Sequence, residues 1–245
     1  MTTTIEPVSR RVLIVNADDF GQTEGINSGI ARAHEHGIVT SASLMTRFPA
    51  AAAAAEYAKA HPELSVGLHV DLGEWAFRDG DWHPIYDFPV EDADLVAAEV
   101  AAQLEAFRTL MGAEPTHLDS HQHAHQKDPV HSIVLGHAAE LGIPVRHYNE
   151  RIAYCSHFYG GGRRGESYPD KVGVAHLVEI LRSLPEGITE LGCHPGETAG
   201  LDSSYFHERE LEIETLCDPA VRGAIEEEGI VLASFRDALA LVGSR

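Results

Sequence analysis

A chain of 245 residues with 44% hydrophobic content can bury a full core, and this length suits one large α/β domain. Its 38 acidic residues against 18 Lys and Arg give a formal net charge of -20, which repels nucleic acid and anionic lipid surfaces and leaves a neutral or cationic small molecule as the natural partner. Three cysteines, Cys155, Cys193 and Cys217, are widely spaced, odd in number and form no CxxC, which argues against a disulfide framework or a thiolate zinc site.

Taken from the start, MTTTIEPVSRR has no apolar h-region, and no later run approaches the ~20 apolar residues of a membrane span. The expected location is therefore cytoplasmic, with no membrane partner, and residues 1–10 read as a disordered tail ahead of a domain over 11–245. VLIV at 12–15 is short, β-branched and apolar, as in a strand buried on both faces of a parallel sheet. A turn is expected at Asp18 to Gly21. Ile26, Ile30 and Ala33 then recur at helical spacing behind a cap at Thr23, and Gly37 stops the helix.

The alternation repeats along the chain. It gives strand 38–45, an Ala-rich helix 50–60, strand 65–70, a long helix 92–111, strand 116–120 and helix 129–141. A short strand near 144–147, helix 172–184, strand 189–193, helical residues 207–228, strand 230–233 and a last helix from Ser234 follow. About seven βα units imply a parallel sheet, and closing it predicts a single-domain distorted (β/α) TIM-like barrel, with an open doubly wound sheet as the alternative. Residues 71–91 and 148–170 break the rhythm and read as βα loops that shape a pocket. The Gly-rich FYGGGRRGESYP within the second lacks the GK[ST] ending of a phosphate loop and reads as a flexible lid.

Three of these strands end in titratable residues: Asp18 and Asp19 after the first, His69 on the third, Asp119 and His121 on the fourth. In a parallel α/β fold such termini share one rim, and one carboxylate with two imidazoles is the ligand set of many hydrolytic metal sites. HLDSHQHAH sets His117, Asp119, His121, His123 and His125 at alternate positions, too many on one strand face for a single ion. The strand is therefore expected to end near Ser120. His121 would coordinate, with Asp119, His123 and His125 supporting the ligands or touching substrate. Taken singly, each feature has a structural reading: a turn at the aspartates, a core histidine at 69, a solvated loop at HQHAH. The joint placement at strand ends is what points to a metal.

These segments resemble the YdjC-like carbohydrate deacetylase family, which includes chito-oligosaccharide and hopanoid-biosynthesis deacetylases. The matching pieces are VNADDFG at 15–21, GIVTSASLM at 37–45, VGLHVDL at 66–72, THLDSHQHAH at 116–125 and CHPGE at 193–197, in the family's order. The resemblance implies a distorted βα barrel and one divalent metal ion, magnesium by the family's usual assignment, with zinc also suited to a His-rich site. It places the metal ligands on Asp19, His69 and His121, the general base on Asp18 and the general acid on His194, which is expected to begin the cycle protonated. The implied reaction is removal of an N-acetyl group from a small acetylated sugar. Trp75, Trp82 and Tyr159, by their place in the two long loops, are candidates either to stack on sugar rings or to serve as hydrophobic plugs. A lipid-linked sugar of the hopanoid type and a non-catalytic metal-binding module are the alternatives, and a homodimer is left open.

Overall fold

The computed structural model describes residues 10–198 and 205–238. The expected tail, apart from Arg10, and all but the first turn of the expected last helix lie outside the described residues. The elements in order are β1 (Arg11–Phe20), α1 (Glu24–Glu35), β2 (Ser41–Leu44), α2 (Ala51–Ala60), β3 (Ser65–Val70), β4 (Gly73–Arg78) and β5 (Asp81–Asp87). They continue with α3 (Ala93–Met111), β6 (Leu118–Ser120), α4 (Val130–Leu141), β7 (Ile152–Cys155), α5 (Val174–Ser183), β8 (Gly187–Cys193), α6 (His207–Leu216), α7 (Pro219–Glu227) and β9 (Val231–Leu232).

The main sheet is parallel, in the order β6-β3-β2-β1-β8-β7. β8 pairs along one edge of β1, while the other edge is shared, β9 taking Val12 and Leu13 and β2 taking Asn16 onward. The sheet is strongly curled, for the guanidinium of Arg146 reaches Asp119 of β6 and also lies 5.0 Å from the ring centre of Tyr154 on β7, the strand at the opposite end of the order. That is the distorted (β/α) barrel, with its seam between β6 and β7 lacking a hydrogen-bonded ladder among the described residues.

Central β1 is buried almost throughout, and Leu13, Val15, Ala17 and Phe20 join the core that the helices cover. Helix α1 begins where the sequence places it: Thr23 Oγ1 accepts from Ile26 N at 3.1 Å, a cap worth about 1 kcal/mol. Its buried face is Ile26, Ile30 and Ala33, with Gly29 between them. A Cβ on Gly29 would stand 2.5 Å from Gly196 Cα, so this glycine seats the helix directly on the segment that follows β8.

Four expectations need correction. β1 does not turn at Asp18 but runs on to Phe20. Residues 71–91 are not an open loop, because β4 and β5 form an antiparallel hairpin around Asp79 and Gly80, both with positive φ. The second stretch contains β7, whereas the strand expected near 144–147 amounts to one bridge between Val145 and Leu118. The helix expected over 207–228 breaks at Cys217 and Asp218, and Asp218 caps α7 by accepting from Ala220 N.

The hairpin is held where it leaves the barrel. Asp71 is buried, exchanges backbone hydrogen bonds with the Gln103 amide of α3, and accepts from Tyr86 Oη at 2.8 Å. The Gly-rich segment is held in turn by the hairpin: Trp82 Nε1 donates to Arg163 O at 2.8 Å. Together they wall the mouth of the barrel.

Candidate active site

A bulge at the end of β1 determines what the barrel can present. Its register against β2 shifts between Ala17 and Phe20, and Asp19 adopts φ 65°. Consecutive strand residues point to opposite faces, but the bulge turns both Asp18 and Asp19 into one cavity of about 530 Å³. An aspartate tolerates this left-handed conformation better than most side chains.

Asp19 Oδ1 lies 3.4 Å from His69 Nε2 and 3.0 Å from His121 Nδ1. Its second oxygen accepts from Arg209 of α6 at 2.6 Å. Register brings His69 opposite Asp119, and the two meet at 2.7 Å through His69 Nδ1. His121, in the short 3-10 segment His121–Gln126 that follows β6, has its Nε2 at 2.8 Å from Glu74 of β4. Each imidazole thus has a carboxylate on its far nitrogen and turns its near nitrogen to Asp19, where a cation would take that nitrogen's electron pair in place of a proton. That is the arrangement of metal-bound histidines, and the donor set fits a divalent cation. Burial works against charge on His69, yet Asp119 and Asp18 outweigh it and raise its pKa to about 10. Burial also opposes ionisation of Asp19, but Arg209 and His121 hold its carboxyl well below the ordinary range.

Two further groups come equally close and fit a metal less well. In the trio Asp18, His69 and Asp119, both oxygens of Asp18 and one of Asp119 are already bound by Arg146. In the trio His123, His125 and His147, both ring nitrogens of His125 are engaged, by Ser120 Oγ at 2.6 Å and Arg146 O at 3.2 Å.

Arg146 was not visible to sequence reasoning. Fully buried, it forks onto Asp18 at 2.6 and 2.7 Å and also reaches Asp119 at 2.9 Å and Glu190 at 2.7 Å. Asn16 Nδ2 adds a hydrogen bond to Asp18 Oδ1 at 2.9 Å, and Ser43 Oγ donates to Asp119 Oδ2 at 2.7 Å. Burial alone would push Asp18 up, but Arg146 lowers it below its ordinary value. Glu190 is different: burial dominates and raises it to about 7.

His194 follows β8, with Nε2 at 3.7 Å from Asp18 Oδ2. Its backbone is fixed on both sides, N–H donating to Glu212 and C=O accepting from Arg209 at 3.3 Å. Burial depresses its imidazole to about 4, so the expectation that it starts protonated is corrected: at neutral pH it is uncharged. Cys193 is a buried β8 residue whose Sγ donates to Asn16 O and whose thiol is pushed up by burial, which removes it as a nucleophile.

The other expected residues divide. Trp75, Trp82, Tyr159 and His123 line the cavity, with Tyr159 stacked on Tyr205 at 4.7 Å. Asp119 and His125 stand behind it, supporting His69 and the turn after β6. Glu74, Arg146, Tyr154, Arg209 and Glu212 are the residues the sequence did not reveal.

A parallel α/β barrel whose strand ends carry an Asp–His–His set into one open cavity is the architecture of a hydrolase. The chain belongs to the YdjC-like protein family, whose profile matches residues 12–227. It is 34% identical over 251 residues to a carbohydrate deacetylase of Geobacillus stearothermophilus, covering 93% of this chain and 98% of that one. A chitooligosaccharide deacetylase of Serratia marcescens is 30% identical over 257 residues, covering 93% and 99%. Among solved structures, a protein from Enterococcus faecalis V583 described as a candidate cellobiose-phosphate cleavage protein superposes with a TM-score of 0.73 at 26% identity, covering 94% of this chain and 99% of that one.

Proposed function

We propose that this chain is a carbohydrate deacetylase that hydrolyses the N-acetyl group of an acetylated sugar or chito-oligosaccharide, with one divalent ion held by Asp19, His69 and His121. The observation that carries the reading is the convergence of His69 Nε2 and His121 Nδ1 on a single oxygen of Asp19 at the floor of the cavity. The activities named for the relatives support the substrate class. Magnesium is the family's usual assignment, and two imidazoles in the set also suit zinc. When bound there, such an ion supplies Lewis acidity that polarises the amide carbonyl and eases ionisation of water.

The chain's own groups move the protons. Asp18 is kept ionised by Arg146, so it can accept a proton from the attacking water at neutral pH. His194 is neutral at rest and 3.7 Å away, so the proton it gives to the departing amine reaches it through Asp18. Water oxygen bonds to the acetyl carbon, the C–N bond breaks, and the nitrogen leaves with that proton, giving acetate and an amino sugar. Trp75, Trp82 and Tyr159 offer flat apolar faces to the pyranose ring, which carries no charge for the acidic surface to repel.

The test is incubation of the metal-loaded protein with N-acetylated chito-oligosaccharides, an acetylated lipid-linked sugar and O-acetylated xylan, assaying acetate and free amine. Equimolar acetate and amine from the oligosaccharides are expected. Release from the esters alone, or from none, would overturn the reading.

A further inference from the structure

The β4–β5 hairpin looks like a cover over the barrel, yet one of its residues reaches the ligand set. The register of β4 against β5 shifts between Glu74 and Trp75. Like the bulge in β1, this shift lets two consecutive residues face the same cavity, and both Glu74 and Trp75 line it. Glu74 is only 14% exposed at its side chain and is gripped from three directions. His121 Nε2 meets Oε2 at 2.8 Å, Gln22 Nε2 donates to Oε2 at 3.2 Å, and Gln122 Nε2 donates to Oε1 at 3.1 Å. His121 stands to Glu74 as His69 stands to Asp119: a carboxylate on the far nitrogen, with the near nitrogen turned to Asp19. The difference lies in origin. Asp119 belongs to the sheet, whereas Glu74 belongs to the hairpin that also carries Trp75 and Trp82, the only two tryptophans of the chain.

We infer that Glu74 is the positioning residue for His121, and that through it the aromatic wall of the pocket is tied to the metal centre. This rests on the assignment of Asp19, His69 and His121 as the ligands. A carboxylate on the far nitrogen fixes the ring's tautomer and orientation and makes the near nitrogen a better donor, and loss of such a partner costs roughly 10- to 100-fold in metal affinity. Because Glu74 cannot move without its strand, metal binding at His121 also fixes how far Trp75 stands from the metal centre. A sugar stacked on the hairpin is then held at a set distance from the catalytic groups.

The experiment measures Zn²⁺ affinity by competition with a chromophoric chelator in wild type, E74A, E74Q, H69A, H121A and the E74A/H121A double variant, alongside acrylamide quenching of the tryptophans. E74A should bind Zn²⁺ roughly 10- to 100-fold more weakly than wild type. E74Q, whose amide oxygen can still accept from Nε2–H, should fall between them, and E74A should add little to H121A because the two act as one unit. Zn²⁺ should protect the tryptophans from quenching in wild type and not in E74A. Wild-type affinity in E74A, an E74A loss that adds in full to that of H121A, or protection that persists in E74A would each overturn the inference. Metal-free melting curves separate these outcomes from misfolding, and the near-isosteric E74Q supplies the comparison if E74A fails to fold. Equal Zn²⁺ affinity in wild type and H69A would instead overturn the ligand assignment, and this inference with it.

Discussion

Replacing Arg146 by methionine keeps most of the side chain's bulk and removes the charge that three buried acids share. Asp18, Asp119 and Glu190 all lie within 2.9 Å of the guanidinium, and it is 0% exposed, so solvent cannot take its place. Removing one partner of a buried ion pair costs about 3–5 kcal/mol because the remaining charge is left unpaired. For a chain of this size each kcal/mol lowers Tm by about 2–4 °C, so a fall of roughly 6–20 °C is expected at neutral pH. The pH dependence gives a sharper test. In wild type, Arg146 depresses the carboxyls of Asp18 and Asp119, which contributes stability above their unfolded pKa values that is lost as pH falls. In Arg146→Met burial, the largest influence on both carboxyls, is opposed mainly by His69, so they should rise, the variant should recover by taking up protons, and its deficit should be smaller at pH 5 than at pH 8. Thermal denaturation followed by circular dichroism at both values is the assay. Arg146→Lys should lie between the two, since one ammonium cannot fork onto both oxygens of Asp18. A methionine variant that melts with wild type at pH 8, or whose deficit grows toward pH 5, would refute the reasoning.

Asp18→Asn should retain Zn²⁺ binding while losing about 10²- to 10⁴-fold in turnover, because Asp18 is placed for proton transfer and not among the ligands; parallel loss of metal and turnover, by metal analysis and acetate assay, would contradict this. Glu212 is raised to about 8 by burial, so its protonated form contributes stability that is present below its unfolded pKa and lost as pH rises toward 8. Glu212→Gln should therefore show a smaller drop in Tm between pH 5 and pH 9 than wild type, and an equal or larger drop would count against the burial argument. Gly29→Ala would force a Cβ to within 2.5 Å of Gly196 Cα, so it should lower Tm and displace the CHPG segment, reducing turnover more than Zn²⁺ affinity.

Much of this architecture was legible because it follows from periodicity. Alternating strands and helices imply the parallel barrel, and the shared rim of strand ends makes Asp18, Asp19, His69 and His121 neighbours. The bulge at Asp19 was not legible, since DD reads as turn chemistry and only the β2 register shows that the strand continues. The hairpin had a signal that the aromatic-rich stretch obscured: Asp79-Gly80 is the dipeptide of a two-residue hairpin turn, and its positive φ values of 52° and 87° confirm that use. Glu74 was missed with it. Arg146 has no periodic signature at all, because a buried cation is defined by acids brought from three separate strands, β1, β6 and β8. Arg209 and Glu212 sit in HERELEIETL, which reads as a solvated helix, yet both are buried facing the cavity and His194.

The central claim, that one ion held by Asp19, His69 and His121 supports deacetylation, is tested most directly by titrating Zn²⁺ into chelator-stripped protein while following acetate release from an N-acetylated chito-oligosaccharide. Activity should rise linearly and level off at one equivalent per chain in wild type, and should stay at background in His69→Ala across the same range. Full activity in the stripped protein, or a His69→Ala curve that reaches the wild-type plateau at one equivalent, would contradict the account.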